Sequence, residues 1–160
     1  MLQPSSDPDI SFQERRRRAI SAFALADGGM LRVLHGQVCE DAPPARPVRG
    51  PEIGLVMLRG RAGGGGAPFN LGEASVCRAT VRLGTGEVGH AMILGRDSDK
   101  ARLAAHCDAL WQHPEWQERI EREIVAPLLQ ADTDAESDRA AETEATRVDF
   151  FTLVRGEDQA

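Results

Sequence analysis

Four prolines, Pro43, Pro44, Pro47 and Pro51, fall within the stretch EDAPPARPVRGP. Proline lacks a backbone donor and clashes with the preceding helical turn, so neither a helix interior nor a central strand accommodates such a run. Residues 40–51 therefore read as a proline-rich linker. It divides a segment with helical spacing from one with strand spacing.

Ahead of the linker, residues 1–10 read as a disordered leader and 11–39 as helical. Ser11 followed by Glu14 has the spacing of a capping box, and Ile20, Phe23 and Leu25 supply an apolar side. Gly28 is placed to end that helix. Asp27 is placed to cap a second, short one containing Met30, Leu31, Val33 and Leu34.

Beyond the linker, residues 52–96 predict a β meander. EIGLVMLRGR is a short apolar run ending in charge. In ASVCRATVRL, Ser75, Cys77, Ala79, Val81 and Leu83 alternate with Val76, Arg78, Thr80 and Arg82, a period of two. GTGE is a turn and VGHAMILGRD a third strand, which places the glycine run RAGGGGAPFNLGE at the first hairpin. Residues 97–146 return to helical spacing. Asp97 or Ser98 caps a helix over 98–112, Pro114 suits the first turn of the next, and Trp116, Ile120, Ile124 and Leu128 form its apolar line. Pro127 is expected to bend or end it. Val148, Phe150, Thr152 and Val154 alternate in a closing strand over 147–156. The expected fold class is α+β. A three-strand antiparallel meander, joined by a C-terminal strand, has helices at the N-terminus and after the meander, all in one domain over 11–158.

The 160 residues are enough for a real core, but aromatic residues make up only 4% and tyrosine is absent, so that core is aliphatic. A net charge of −6 argues against a general nucleic-acid binder. The charge is uneven: residues 44–96 hold seven arginines against three carboxylates, while 97–160 hold seven cations against sixteen. Cys39, Cys77 and Cys107 are odd in number and widely spaced, giving neither a disulfide framework nor a metal pattern. No apolar run approaches the ~18 residues of a transmembrane helix, and the opening residues carry no signal-peptide core. The expectation is a cytoplasmic protein, with no membrane or nucleic-acid partner.

The glycine run is a poor nucleotide loop. A P-loop places Lys and Ser/Thr directly after its last glycine, where Ala67 and Pro68 stand, and a dinucleotide fingerprint leads into a helix, where strand spacing follows. Two readings remain: a mobile hairpin tip, or backbone that approaches an anion with Arg59 and Arg61 nearby. Arg78 and Arg82 share a strand face, either solvated or aimed at a phosphate or an acidic partner. His90 has no evident catalytic partner. His35 and Cys39 stand at i, i+4, but two ligands do not make a zinc site. Asp108 borders an apolar stripe and needs an arginine or backbone donor. The run RRRR at 15–18 points in four directions on a helix, one of them solvated.

PEIGLVMLRGRAGGGGAPFNLGEASVCRATVRL, then GEVGHAMILGRD, then DAL and finally ATRVDFFTLVRGED together closely resemble the G-subunit family of the bacterial carbon–phosphorus lyase system, over residues 11–158. The resemblance implies a non-autonomous subunit of a core complex that degrades alkylphosphonates. The complex transfers the ribose 5-triphosphate moiety of ATP to a phosphonate such as methylphosphonate, displacing adenine. The implied partners are the other core subunits, above all the I subunit, which supplies the nucleosidase chemistry, and also H and J. ATP and alkylphosphonate are ligands of the complex, and this chain is expected to hold no cofactor, metal or catalytic centre. Within the matched motifs, Arg61, Phe69, Gly72, Glu73, Arg78, Arg96 and Asp97 are candidate partner or anion contacts. Arg61, Arg78 and Arg96 would pair with phosphate or carboxylate groups, Glu73 would hold an arginine, and Phe69 would pack into the partner. The alternative is a stand-alone nucleotide- or phosphate-binding enzyme using the glycine-rich hairpin.

Overall fold

The computed structural model describes residues 8–61, 63 and 65–145. Helices α1 (Pro8–Leu25) and α2 (Gly28–Val38) precede strands β1 (Ala45–Arg61), β2 (Pro68–Leu83) and β3 (Val88–Leu94). Helix α3 (Ser98–Gln112) follows, then a helical stretch made of α4 (Gln117–Ile120), a π-helical turn (Glu121–Val125) and α5 (Ala126–Ala145). The sheet is an antiparallel meander in the order β1-β2-β3. The fold is α+β, with helices before the meander and after it.

From Cys77 to Leu83 the alternation read from β2 is the alternation observed; just before it, Val76 is buried alongside Cys77. Cys77, Ala79, Val81 and Leu83 are buried on the inner face with Ala91 and Ile93 of β3, while Arg78 and Arg82 face outward. Helix α3 lies across that inner face, contributing Ala101, Ala105, Leu110 and Trp111 to the core. Its approach is closest at Gly89, where an added Cβ would stand 1.9 Å from the Ala105 carbonyl oxygen. Glycine is required there because the helix backbone occupies the side-chain space.

One buried carboxylate fixes the layers. Asp108 of α3 is fully buried. It accepts hydrogen bonds from Arg16 of α1 to both oxygens, Nε at 3.0 Å and Nη2 at 2.9 Å, and from the His90 backbone amide at 2.8 Å. One turn along, Gln112 Nε2 donates to the Val88 carbonyl at 2.8 Å. Residues two apart on a strand present their backbone groups to the same side. Asp108 and Gln112 therefore occupy the β3 edge away from β2 as a neighbouring strand would. The other arginines of the run diverge. Arg15 stacks over Trp111 at 5.7 Å, Arg18 pairs with Glu121, and Arg17 is exposed. Trp111 Nε1 also donates to Glu121, at 2.6 Å.

Several boundaries differ from those read in the sequence. Strand β1 begins at Ala45, inside the stretch read as a linker. It is an edge strand, where proline is tolerated, and its register slips between Pro47 and Arg49 and again between Arg49 and Glu52, so the prolines fall where regular pairing is interrupted. Helix α1 is already formed at Pro8, inside the expected leader and before the Ser11 capping box, since proline suits a first helical turn. Gly28 opens α2 rather than ending α1, because the Asp27 side chain accepts from the Met30 amide at 2.9 Å and caps α2. The C-terminal helix does not stop at Pro127. The π-helical turn immediately before it rearranges the hydrogen-bond ladder at the carbonyls that proline would otherwise leave without donors. The expected strand over 147–156 lies outside the described residues.

Two substitutions test this packing. Gly89→Ala is expected to cost at least about 3 kcal/mol, because the new methyl meets helix backbone that cannot yield locally. Arg16→Leu strands the Asp108 carboxylate and is expected to cost about 3–5 kcal/mol. Urea unfolding followed by circular dichroism measures both, and a loss under 1 kcal/mol in either variant contradicts the corresponding account.

Candidate functional site

Among the described residues, strand β3 pairs only with residues 76–82 of β2, while β1 and β2 continue pairing with each other as far as Arg61 and Pro68. Residues 55–61 and 68–75 thus form a two-stranded arm extending about 20–25 Å past the three-stranded part at strand rise. The arm is apolar on the surface: Leu55, Met57 and Leu71 are all more than half exposed, with Leu58 and Phe69 close behind. An isolated pair of strands is marginally stable in water, and large exposed apolar patches mark interaction sites.

At the root of the arm, the outward face of the sheet is basic. Arg46 stands directly opposite Arg82, Glu52 opposite Arg78, and Thr80 opposite His90. Arg78 and Arg49 both reach Glu52, at 2.5 and 2.7 Å, and Thr80 Oγ1 lies 3.1 Å from His90 Nδ1. The arginine bonds hold the Glu52 carboxyl below the usual carboxylate range, that to Arg78 most.

Of the candidate residues read from the sequence, Arg61, Phe69, Gly72, Glu73 and Arg78 are strung along this hairpin, while Arg96 and Asp97 lie between β3 and α3; they are not gathered in one pocket. Arg61 is at the tip, its guanidinium 3.4 Å from the Gly66 carbonyl. Phe69 faces solvent opposite Gly60. Gly72 sits opposite Leu58 beside a register shift, with φ of 151°. Glu73 lies opposite Met57 and forms no ion pair among the described residues; the carboxylate that holds Arg78 is Glu52. Arg96 Nε is 3.4 Å from Ser75 Oγ. Asp97 caps α3, accepting from the Lys100 amide at 2.9 Å, with Arg32 at 3.9 Å. The glycine run joins two paired strands, so no helix N-terminus opens from it. Among the described residues, no group of three or more His, Cys, Asp or Glu side chains is arranged to hold a metal ion, and no helix is long and apolar enough to cross a membrane.

A second constellation escaped the sequence reading. His35 of α2 and His106 of α3 meet with Nε2 and Nδ1 3.0 Å apart, and His106 Nε2 lies 3.0 Å from the Pro43 carbonyl. A carbonyl only accepts, so His106 carries its proton on Nε2 and receives the His35 proton on Nδ1. The pair borders a cavity of about 480 Å³ also lined by Pro47, Pro51, Val81 and Arg102. Burial first, then the charges of His106 and Arg102, lower the His35 pKa to about 4, and burial lowers His106 as well. The two histidines are 71 positions apart, and only the packing of α2 against α3 joins them. Nearby, the buried Cys39 and Cys107 thiols influence each other: Cys107 lowers the pKa of Cys39, and Cys39 together with burial raises that of Cys107.

Comparison with known proteins bears on the whole chain. The family model described as phosphonate metabolism protein PhnG matches residues 14–156. A curated relative from Rhizobium meliloti (strain 1021), named alpha-D-ribose 1-methylphosphonate 5-triphosphate synthase subunit PhnG, is 51% identical over 162 residues, covering 99% of this chain and all of the relative.

The histidine pair makes stability depend on pH. His35 titrates near 6.5 when unfolded and near 4 when folded, so in that interval the unfolded chain binds more protons. The contribution is complete above pH 6.5 and declines as pH falls toward 4. Thermal melts between pH 7 and 4 are expected to show a falling Tm, with a shallower slope in His35→Gln. Equal slopes in the two proteins would remove the pair as the cause.

Proposed function

The chain belongs to the PhnG family of phosphonate-metabolism proteins, and from that membership we propose that it serves as a non-autonomous subunit of an alpha-D-ribose 1-methylphosphonate 5-triphosphate synthase. In this reading the complex transfers the ribose 5-triphosphate moiety of ATP to an alkylphosphonate and releases adenine. The partners are the other core subunits of the carbon–phosphorus lyase system, the I subunit first, with H and J, and the site of action is the cytoplasm. ATP and phosphonate enter as substrates of the assembly, and this chain brings no cofactor of its own.

The full-length match to a synthase subunit carries the proposal. The local chemistry supports it. The buried groups that look suited to catalysis are engaged in holding the fold: Asp108 by Arg16 and the His90 amide, and His106 by His35 and Pro43. The exposed resources are instead an apolar arm and arginines. Phe69 and the arm leucines offer area to a partner, while Arg61 and Arg96, whose own contacts are long, offer charge to a carboxylate or phosphate. The stand-alone nucleotide-binding reading is weakened by the strand that follows the glycines. Without a helix N-terminus at that point, the loop lacks the aligned amides and dipole that hold phosphate in nucleotide enzymes.

The test is reconstitution of the complex from its separate subunits, with this chain present or omitted, followed by assay of phosphonate-dependent adenine release from ATP. Release is expected only with the chain present, and the chain alone is expected to release none. Undiminished release from a mixture lacking it would refute the subunit role.

A further inference from the structure

We propose that the outer face of the sheet is a docking site for an amphipathic helix of another subunit, with carboxylates toward one end and apolar side chains toward the other; this rests on the subunit reading above.

The strand register defines the face. At its root lie Arg46 opposite Arg82, then Arg49, then Glu52 opposite Arg78 and Met92. Farther out lie Gly54, the buried Val76 and the exposed Leu94, then the half-buried Val56 beside Ala74 and the exposed Leu58 beside Gly72. One half is basic and the other apolar.

The basic half is short of carboxylates. Like charges directly opposite on a sheet are destabilising, yet Arg46 and Arg82 face each other with no ion pair among the described residues. Arg49 and Arg78 share the single carboxylate of Glu52. Four guanidinium groups against one acid leave the face needing negative charge from outside.

The apolar half selects the kind of partner. Met92 is 60% and Leu94 71% exposed. A free polyanion would satisfy the arginines and leave these side chains wet, whereas a polypeptide answers both halves. Gly54, Gly72 and Ala74 keep the middle of the face flat, so a helix can lie close to it. The inner face already carries α3, and a helix on the outer face completes a three-layer arrangement. The acidic helix of a second copy does not fit, because residues 132–144 contain no apolar side chain larger than alanine. The occupant is therefore another subunit.

Three variants are assayed in the reconstituted complex, with far-UV circular dichroism confirming that each folds. The Arg46→Glu/Arg82→Glu double variant is expected to weaken association about 100-fold, with a flatter salt dependence, as for loss of close interfacial charge pairs. Leu94→Asp is expected to weaken it about tenfold or more. Arg17→Glu, an exposed arginine on α1, is expected to stay within about twofold of the parent. Photo-methionine at position 92 is expected to cross-link to a helical segment of another subunit.

Folded outer-face variants that assemble like the parent overturn the proposal while leaving the subunit role intact, since that role is judged by omission of the whole chain. A cross-link to a second copy of this chain also overturns it. So does inorganic triphosphate binding that is lost in the double variant while assembly is unchanged.

Discussion

The Asp108 carboxylate is the point on which the fold turns. A charge taken fully out of water is tolerable only when its partners are complete, and here they come from two other elements: the Arg16 guanidinium of α1 and the His90 amide of β3. That requirement sets where α1 lies beside the sheet and at which turn α3 crosses β3. The crossing then leaves no space for a side chain at position 89, and it brings Gln112 to the Val88 carbonyl. The bidentate bond also holds Arg16 above its ordinary pKa.

How much of this was legible follows from the range of each interaction. The alternation from Cys77 to Leu83 is local and legible, as are the span of α3 and the cap at Asp27; of Asp97 and Ser98, it is Asp97 that caps α3. Asp108 was legible as a residue needing a partner, but four consecutive arginines offered no means of choosing Arg16 over its neighbours. Proline is barred from a central strand but not from an edge; edge position is a tertiary property, and it is what admits Pro47 and Pro51. The His35–His106 contact had no local signature at all. The candidate contacts were drawn from one stretch of sequence, and a hairpin spreads such a stretch over its whole length. That is why Arg61 and Arg78 lie far apart.

The same hairpin divides the molecule energetically. Its root shares the buried core with α3, whereas the arm, among the described residues, is held chiefly by its own ladder of hydrogen bonds and exposes Leu55, Met57 and Leu71 to water. Two strands without a covering layer bury too little apolar area to offset the entropy of ordering them. On the subunit role proposed above, such an arm is what a neighbouring chain would cover.

The helix-borne groups on β3 have one further consequence. Because Asp108 and Gln112 occupy the His90 donor and the Val88 acceptor, an incoming strand finds no free ladder at the start of β3. Side chains that cover backbone groups at a border blunt it as a template for another chain. The carboxylate that holds two layers together thus also guards the first residues of an exposed strand.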